Sequence, residues 1–289
     1  MKGIILAGGS GTRLYPLTKS VSKQLLPIYD KPMIYYPLAT LMLSGIKDVL
    51  IVTTPQDNAL FIDLLGNGSD FGINIEFAIQ EKPTGLPDAF IIGEKFIGDN
   101  NVCLILGDNI FHSDTFINKY LVPSFFSGSP TVFGCHVVDP ERYGVVEFDK
   151  DQNVLSIEEK PPSPKSHYAV TGLYVFDKNA PSIAKNLQPS DRGETEIVDM
   201  LDYYLKHNNL KVELLGRGVS WLDTGTHKSL HEASSYIEVL ENRQGLKIAC
   251  LEEIAFQKGY ISKDKLTNLA MAMKNNEYGQ YLIKVLNEN

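Results

Sequence analysis

Short apolar runs alternate with helical patterns along residues 1–140 of the chain. The apolar runs predict strands at GIILA, DVLIVTT, INIEFAIQ, NVCLILGD and PTVFGCHVV. Apolar residues at helical spacing predict helices at MIYYPLATLMLSG, NALFIDLLG, LPDAFIIGEKFI and SDTFINKYLVPSFF. Continuous Val, Ile and Leu runs are typical of strands that are covered on both faces. The pattern therefore predicts an α/β fold with a Rossmann-like, mostly parallel sheet and crossover helices.

The pattern changes after residue 140. YGVVEFDKDQNVLSIEEKP predicts two strands joined by a turn, and HYAVTGLYVF predicts another, so an antiparallel lobe is expected beside the sheet. GETEIVDMLDYYLKHN predicts an amphipathic helix. From Thr226 onward the chain is almost wholly helical in pattern, with segments HKSLHEASSYIEVLENRQG, KDKLTNLAMAM and NEYGQYLIKVLNEN. We expect a core over residues 1–225, with parts 1–140 and 141–225, and a C-terminal helical segment over 226–289.

Composition and charge narrow the class of protein. The chain has 289 residues, of which 43% are hydrophobic, and a net charge of −8. This acidic balance argues against a nucleic-acid polymer or an anionic membrane as partner, but a local basic cluster can still bind a nucleotide. No apolar run approaches the roughly 18 residues of a membrane span, and the apolar run after Met1 is too short for a signal peptide. Cys103, Cys135 and Cys250 form no metal or disulfide pattern, so we expect free thiols and a cytoplasmic protein.

A glycine-rich loop follows the first predicted strand. Its glycines Gly8, Gly9 and Gly11 precede Arg13, but Leu14 stands where a dinucleotide fingerprint has its third glycine. No Walker A string occurs either. Uncrowded backbone N–H groups, a guanidinium fork and the nearby Lys23 favour a triphosphate. The alternative is a mobile glycine turn with surface cations.

The string LAGGSGTRLYPLT…SKQLLP resembles the signature of the sugar-phosphate nucleotidyltransferases. LILGDNIF, DPERYGVVEFD, IEEKP, YAVTGLYVFD, WLDTGTHKSL and LENRQGLKIACLEEIAF extend the resemblance over essentially all of the chain. It implies Mg²⁺-dependent transfer of a thymidylyl group from dTTP to glucose 1-phosphate, as the first step of dTDP-rhamnose or deoxysugar synthesis. LAGGSGTRL is shared widely, so uridylyl, guanylyl or adenylyl transfer to a hexose 1-phosphate is the alternative. A catalytically silent nucleotide-sugar sensor is a third hypothesis.

The resemblance also implies which residues bind the nucleotide. They are Leu6, Gly8, Gly9, Gly11, Thr12, Arg13, Gln80, Gly85 and Asp108. Gln80 can donate to and accept from a pyrimidine edge, and Gly85 permits close approach of the backbone. In QEKPTGLPDAF, Pro87 and Asp88 replace the Ala and Gln of the common family form, and both suit the start of a helix. This departure leaves the choice between thymine and uracil open.

Five residues are expected to carry the reaction: Arg13, Lys23, Asp108, Lys160 and Asp223. Asp108 follows the apolar run VCLIL, so its carboxylate should emerge at the ligand edge of the sheet. Mg²⁺ prefers carboxylate oxygens and uses one or two of them together with phosphates. Asp108 and Asp223 are therefore the expected metal ligands. The alternative for each is a turn residue or a helix cap.

On the sugar side, the resemblance implies contacts from Gly144, Glu159, Lys160, Val170 and Thr171. Lys160 would hold the phosphate of glucose 1-phosphate and Glu159 the sugar hydroxyls, unless the two form only a solvated charge pair. Trp221 is more typical of core packing than of a stacking platform.

A second, regulatory nucleotide-sugar site is implied at Arg217, Cys250, Glu253 and Ile254. The same residues could equally form a helical packing surface for oligomerisation. The resemblance suggests a homotetramer and a nucleotide-sugar feedback effector.

Overall fold

A computed structural model describes residues 1–9, 11–151, 153–190, 193–207 and 209–288. Its strands are β1 Lys2–Ala7, β2 Pro27–Ile28, β3 Lys31–Pro32, β4 Asp48–Thr53, β5 Asn74–Ile79, β6 Val102–Leu106, β7 Asn109–His112, β8 Thr131–His136, β9 Gly144–Phe148, β10 Val154–Glu159, β11 Tyr168–Phe176, β12 Lys211–Leu214 and β13 Ser220–Asp223. Its helices are α1 Tyr35–Leu43, α2 Asn58–Leu65, α3 Asp88–Ile92, α4 Glu94–Ile97, α5 Val122–Ser124, α6 Ala180–Ala184, α7 Ile197–Lys206, α8 His227–Gln244, α9 Leu251–Gln257, α10 Lys263–Ala272 and α11 Glu277–Glu288.

The central sheet follows the order β10-β9-β11-β6-β1-β4-β5, with β8 added to β11 and β12 added to β8. β1 runs parallel to β4 and β6, and β4 runs parallel to β5. β11 is antiparallel to β6, β8 and β9, and β9 pairs antiparallel with β10. The predicted α/β fold with a parallel sheet, an antiparallel lobe and C-terminal helices is confirmed.

This topology brings several strand ends to one edge of the sheet. The carboxyl ends of β1, β4, β5 and β6 lie side by side because these strands are parallel. β11 enters from the same edge, since Leu173 near its middle pairs with Ile105 near the end of β6. Ligands of open α/β sheets bind outside such an edge.

Each face of the sheet is covered by its own apolar cluster. Residues of α1, α2 and α9 pack on one face with Ile5, Ile51 and Ile105. Residues of α3, α6 and α7 pack on the other face with Ile4 and Leu104. The alternation of adjacent strand residues between the two clusters follows from the two-residue period of a strand. It explains why β1, β4 and β6 are continuous apolar runs.

Some elements differ from the sequence prediction. The helix predicted over Leu86–Ile97 breaks at Gly93, where a Cβ would lie 2.9 Å from the Ala89 carbonyl oxygen and 3.0 Å from Ile4. The helix predicted over SDTFINKYLVPSFF is a π-helical turn, Ile117–Leu121, followed by the short α5. β8 was expected among the strands of the parallel sheet, but its neighbour β11 is antiparallel to it and separates it from β6. The sequence pattern did not predict the short strands β7, β12 and β13, because each offers too few residues for a period.

The C-terminal helices begin directly after β13. Thr226 and Ser229 form a reciprocal capping box at the start of α8, and α8 packs against β2 and β13. Near its other end, Glu241 accepts a hydrogen bond of 2.7 Å from the Nζ of Lys31. Among the described residues, no helix combines the length and the apolar character that crossing a membrane requires.

Candidate active site

Two adjoining cavities open at the ligand edge of the sheet. The first, of about 230 Å³, is lined by the glycine loop together with Thr12, Lys23 and Gly225. The second, of about 270 Å³, is lined by residues that include Gly144, Glu159, Lys160, Val170, Trp221 and Asp223. Arg13 and Asp108 line both cavities. Most of the sequence-predicted catalytic and ligand-binding residues thus line one of the two cavities, which meet at these two side chains.

The glycine loop has the backbone geometry that its sequence suggests. Gly9 and Gly11 have φ values of +111° and +58°, in the region that favours glycine. The hydroxyl of Thr18 donates to the carbonyl of Gly11 at 2.7 Å, and a Cβ at Gly11 would lie 3.1 Å from the Thr18 side chain. Thr18 therefore fixes the loop in a shape that only glycine permits without strain.

Asp108 is held by two donors. The Nζ of Lys23 forms an ion pair and a hydrogen bond with its Oδ2. The Nδ2 of Asn109 donates to its Oδ1 at 2.9 Å. Burial opposes ionisation of Asp108, but the charge of Lys23 and these hydrogen bonds outweigh it and lower the pKa of the carboxyl. Asp108 is therefore an ionised carboxylate at the wall that the two cavities share.

Asp223 faces Asp108 across a strand pairing. Asp223 pairs with Asn109 in the β13–β7 ladder, and the hydroxyl of Thr224 donates to the Asp108 carbonyl at 2.8 Å. Burial raises the pKa of Asp223, and the negative charge of Asp108 raises it further. Its cationic neighbours oppose this shift without cancelling it; Arg142 Nη2 lies 3.7 Å from Asp223 Oδ2.

The donor set at this point fits a divalent cation. Two partly buried carboxylates that repel one another are stabilised by a positive ion between them, and Mg²⁺ is commonly held by one or two protein carboxylates plus phosphate oxygens. Among the described residues there is no group of three His, Cys, Asp or Glu side chains placed to hold a metal. Asp108 and Asp223 would therefore need ligands from phosphate and water to complete an octahedral site.

Lys160 projects into the second cavity from a strained backbone position. Its φ of +43° is unusual for a residue with a side chain, and its N–H donates to the Tyr143 carbonyl at 2.9 Å. Its Nζ lies 2.9 Å from the Glu159 carboxylate, while the Lys160 side chain is half exposed. Backbone strain of this kind is often found where a functional side chain must be aimed.

Thr171 does not join the other sugar-side residues. Val170, Gly172 and Tyr174 line the second cavity at alternate positions of β11. Because adjacent strand residues point to opposite faces, the Thr171 side chain lies on the far face. There its buried hydroxyl has no hydrogen-bond partner among the described residues. A side-chain contact from Thr171 to a ligand in this cavity is therefore not available.

Gln80 and Gly85 lie beside the glycine loop, outside the linings of the two cavities. The buried Gln80 carboxamide donates from Nε2 to the Gly85 carbonyl at 3.2 Å. A Cβ at Gly8 would lie 2.8 Å from Gln80 Oε1 and 3.8 Å from the Leu6 side chain. The predicted base-side residues are thus assembled next to Gly8.

Comparison with known proteins identifies the family. Residues 2–239 match the model of the nucleotidyl transferase family. The chain belongs to this family.

Close relatives place this nucleotidyl transferase more narrowly. The glucose-1-phosphate thymidylyltransferase of Neisseria meningitidis is 59% identical over 286 residues, which cover 99% of each chain. That of Xanthomonas campestris is 56% identical over 97% of this chain and 95% of its own, and that of Mycobacterium tuberculosis is 50% identical over the full length of both. The chain therefore belongs to the glucose-1-phosphate thymidylyltransferase branch of the nucleotidyl transferases.

Solved structures agree with the fold. A Bacillus anthracis protein, described as a candidate glucose-1-phosphate thymidylyltransferase and crystallised with sucrose, is 41% identical and superposes with a TM-score of 0.76. The match covers 82% of this chain and 94% of that one. A UDP-glucose pyrophosphorylase bound to UDP-glucose superposes with a TM-score of 0.74 at 23% identity, which shows a shared fold.

Sequence reasoning missed two polar residues of this nucleotidyl transferase site. Asn109 accepts from the Gly172 N–H at 3.0 Å and from Trp221 Nε1 at 2.6 Å, while it donates to Asp108. Arg142 pairs with Asp139 at 2.6 Å and reaches toward Asp223. Both lie within the motifs LILGDNIF and DPERYGVVEFD, so the motifs themselves were the available signal. Trp221, predicted to be core, lines the second cavity with one face.

Three of the residues predicted for a regulatory site lie at α9, whereas Arg217 lies in another segment of the chain. Arg217 is exposed in the turn between β12 and β13. Glu253 accepts from the Tyr281 hydroxyl at 2.6 Å, and Cys250 and Ile254 are buried in apolar clusters. The described residues include no ion pair between Arg217 and Glu253. A regulatory role for these residues of the nucleotidyl transferase stays a prediction.

Proposed function

We propose that this nucleotidyl transferase transfers a thymidylyl group from dTTP to glucose 1-phosphate, which forms dTDP-glucose and pyrophosphate. The observation that carries the proposal is the pair of adjoining cavities that share Arg13 and Asp108. One cavity offers a glycine loop with two cations, and the other offers the Glu159–Lys160 pair. The relatives that carry this activity in their names match the chain from end to end.

The reaction needs no protein nucleophile. A phosphate oxygen of glucose 1-phosphate attacks the α-phosphorus of dTTP, a new P–O bond forms, and the bond to the β-phosphate oxygen breaks. The leaving pyrophosphate takes the electron pair of that bond. The protein therefore acts by alignment and by neutralising charge, as in phosphoryl transfer generally.

The basic side chains divide this work. Arg13 and Lys23 line the cavity of the glycine loop, where they would neutralise the triphosphate and its departing end. Lys160 lies in the other cavity, where it would hold the sugar phosphate against the repulsion of the triphosphate. Glu159 beside it accepts hydrogen bonds from hydroxyl groups of the sugar.

The proposal includes Mg²⁺ as cofactor, held by Asp108 and Asp223. When bound there, the ion supplies positive charge for the phosphate oxygens that gain charge in the transition state. Asn109 keeps the Asp108 carboxylate in position through its hydrogen bond of 2.9 Å. Arg142 lies beside the Asp223 carboxylate and restrains it. The Thr224 hydroxyl restrains the backbone of Asp108 through its hydrogen bond to the Asp108 carbonyl.

The same proposal extends to assembly and context. The family resemblance supports a cytoplasmic homotetramer, a nucleotide-sugar feedback effector and a place at the start of dTDP-rhamnose synthesis. Exposed apolar side chains such as Phe126 and Val138 are compatible with burial between copies of the chain.

Pyrophosphate release, measured over a grid of nucleoside triphosphates and hexose 1-phosphates with Mg²⁺, tests the proposal. We expect the highest kcat/KM for dTTP with glucose 1-phosphate. A higher kcat/KM for UTP or for another sugar phosphate would establish the alternative nucleotidyl transfer. No pyrophosphate release with any pair would contradict the proposed function.

A further inference from the structure

The carboxamide of Gln80 is held in one of its two orientations. Its Nε2 donates to a carboxylate oxygen of Asp88 at 3.1 Å and to the Gly85 carbonyl at 3.2 Å. An ionised carboxylate and a backbone carbonyl can only accept hydrogen bonds. The opposite orientation would place the amide oxygen against two other oxygens in a buried position, which is costly. Hydrogen-bond chemistry therefore settles which end of the amide carries nitrogen.

The partners of the Gln80 amide are themselves fixed. The hydroxyl of Thr84 donates to the same Asp88 oxygen at 2.6 Å. The Thr195 N–H donates to the Thr84 carbonyl at 2.8 Å, and Gly85 has a φ of +117°. A Cβ at Gly85 would lie 2.1 Å from the Thr195 carbonyl oxygen, so the loop could not hold this shape with another residue there. The acceptors that orient Gln80 are thus held in place by further contacts of the same turn.

The oxygen of the Gln80 amide consequently faces the glycine loop. A Cβ at Gly8 would lie 2.8 Å from Gln80 Oε1, and Gly8 lines the first cavity. Because Gly8 has no Cβ, no side chain of the loop covers this oxygen at that position. An amide oxygen accepts hydrogen bonds and cannot donate them.

We propose that Asp88 is a positioning residue that sets the base selectivity of the site by holding the Gln80 oxygen toward the nucleobase. This inference rests on the proposed nucleotidyl transfer. Thymine and uracil carry an N–H at ring position 3, which can donate to that oxygen. Cytosine has an unprotonated ring nitrogen there, so its lone pair would face the oxygen. A site that presents a hydrogen-bond acceptor strongly discriminates against a ligand that has no donor at the matching position.

The test compares Asp88→Ala with Asp88→Asn by measuring kcat/KM for dTTP, dUTP and dCTP with glucose 1-phosphate. In Asp88→Ala, the Gln80 carboxamide can rotate to its opposite orientation more readily. We therefore expect the ratio of kcat/KM for dTTP to kcat/KM for dCTP to fall about tenfold or more. The dTTP to dUTP ratio should stay constant because both bases carry the same N–H. Asp88→Asn should retain most of the selectivity, since its amide oxygen can still accept from Nε2.

Glu94→Ala is the matched control, because Glu94 is an acid in the first turn of the next helix and pairs with Lys185 at the surface. Its nucleotide ratios should equal those of the unmodified protein. Thr84→Val removes the hydrogen bond that anchors Asp88 and should shift the dTTP to dCTP ratio in the same direction by a smaller factor. This variant keeps the test valid if Asp88→Ala does not fold.

An unchanged dTTP to dCTP ratio in a folded Asp88→Ala protein, or in Thr84→Val if the alanine variant does not fold, would overturn the inference. A ratio in Asp88→Asn as low as in Asp88→Ala would also overturn it, because the acceptor would then not be the deciding feature. Failure of the unmodified protein to use dTTP would contradict the proposed function itself. The two failures are therefore distinguishable.

Discussion

Two clusters of lysine and acidic side chains in this protein differ in how their charges are paired. One lies between the two cavities, where Lys23 pairs with Asp108 and Asp223 lies nearby. The other lies between the β2–β3 hairpin and the C-terminal helices. There, Lys31 and Lys247 each pair with both Asp30 and Glu241.

The difference is that the C-terminal cluster is complete and the site cluster is not. Glu241 also accepts from the Ile248 N–H at 2.8 Å, and the Lys31 side chain is only 1% exposed. In the site, Asp223 carries a raised pKa because it is buried near another carboxylate. Charged side chains that are all paired within the protein can stabilise the fold. A carboxylate beside a cavity whose charge is not fully compensated can instead interact with a bound ligand.

The largest expected effect is on catalysis. Asp223→Asn removes the charge of one of the two carboxylates proposed to hold Mg²⁺, and we expect turnover to fall by about a hundredfold or more. Because the pKa of Asp223 is raised in the folded protein, its negative charge does not stabilise the fold, and the free energy of unfolding should stay the same or rise. Steady-state pyrophosphate release and chemical denaturation measure the two quantities. Near-normal turnover with Mg²⁺ would contradict the metal assignment.

The C-terminal cluster should show the opposite behaviour. Glu241→Ala removes one of the two carboxylates paired with the buried Lys31 and leaves Asp30 as its acidic partner, so we expect a loss of about 3 kcal/mol in the free energy of unfolding. Activity per folded molecule should stay close to normal. Denaturant unfolding checks the first statement, with Glu238→Ala on the exposed side of the same helix as control. A loss no larger than that of the control would show that the cluster does not stabilise the fold.

Lys160→Ala should affect only one of the two substrates. Its cation lies in the sugar-side cavity, so we expect the KM for glucose 1-phosphate to rise about tenfold or more with little change in dTTP binding. Lys165→Ala is the control, since Lys165 pairs with Glu147 and Glu158 at the surface of the same loop. A selective loss of dTTP affinity would instead assign Lys160 to the nucleotide.

The smallest effect concerns pH. Burial opposes ionisation of Asp30, but hydrogen bonds and charge from Lys247 and Lys31 prevail and lower its pKa. A carboxyl with a lowered pKa contributes stability above its unfolded pKa of about 4 and loses it as the pH falls through the folded value. Asp30→Asn should therefore be less stable than the unmodified protein at neutral pH and converge with it in acid. Parallel stability curves over the whole pH range would refute this.

The parts of the fold and of the site that the sequence predicted are those determined by the local pattern of apolar and polar residues. β1, β4 and β6 are covered on both faces, so their apolar runs mark them and place the glycine loop and Asp108 at one edge. Lys31 was not predictable as a buried residue, because its partner Glu241 is 210 positions away. A lysine in a turn is ordinarily exposed.

Side-chain direction was the part of the site that the sequence pattern could not predict. Thr171 lies in the expected motif, but the pairing of β11 turns its hydroxyl away from the cavity. Asn109 was overlooked because its role depends on Gly172 and Trp221, which are distant in sequence. Arg142 likewise acquires its place only when β13 pairs with β7. These contacts join residues that are distant in sequence, so a sequence motif can indicate the residues involved but not their contacts.

The capping box of α8 has a consequence for shortening or recombining the chain. Thr226 lies three residues after Asp223, and Glu241 lies near the far end of the same 18-residue helix. A helix of that length is a rod of about 27 Å. A chain that ended at Gly225 would keep every residue that lines the two cavities. It would lose α8, which packs against β13, the strand that ends at Asp223. An exchange of C-terminal segments between homologues should therefore cross over after α8 rather than before it.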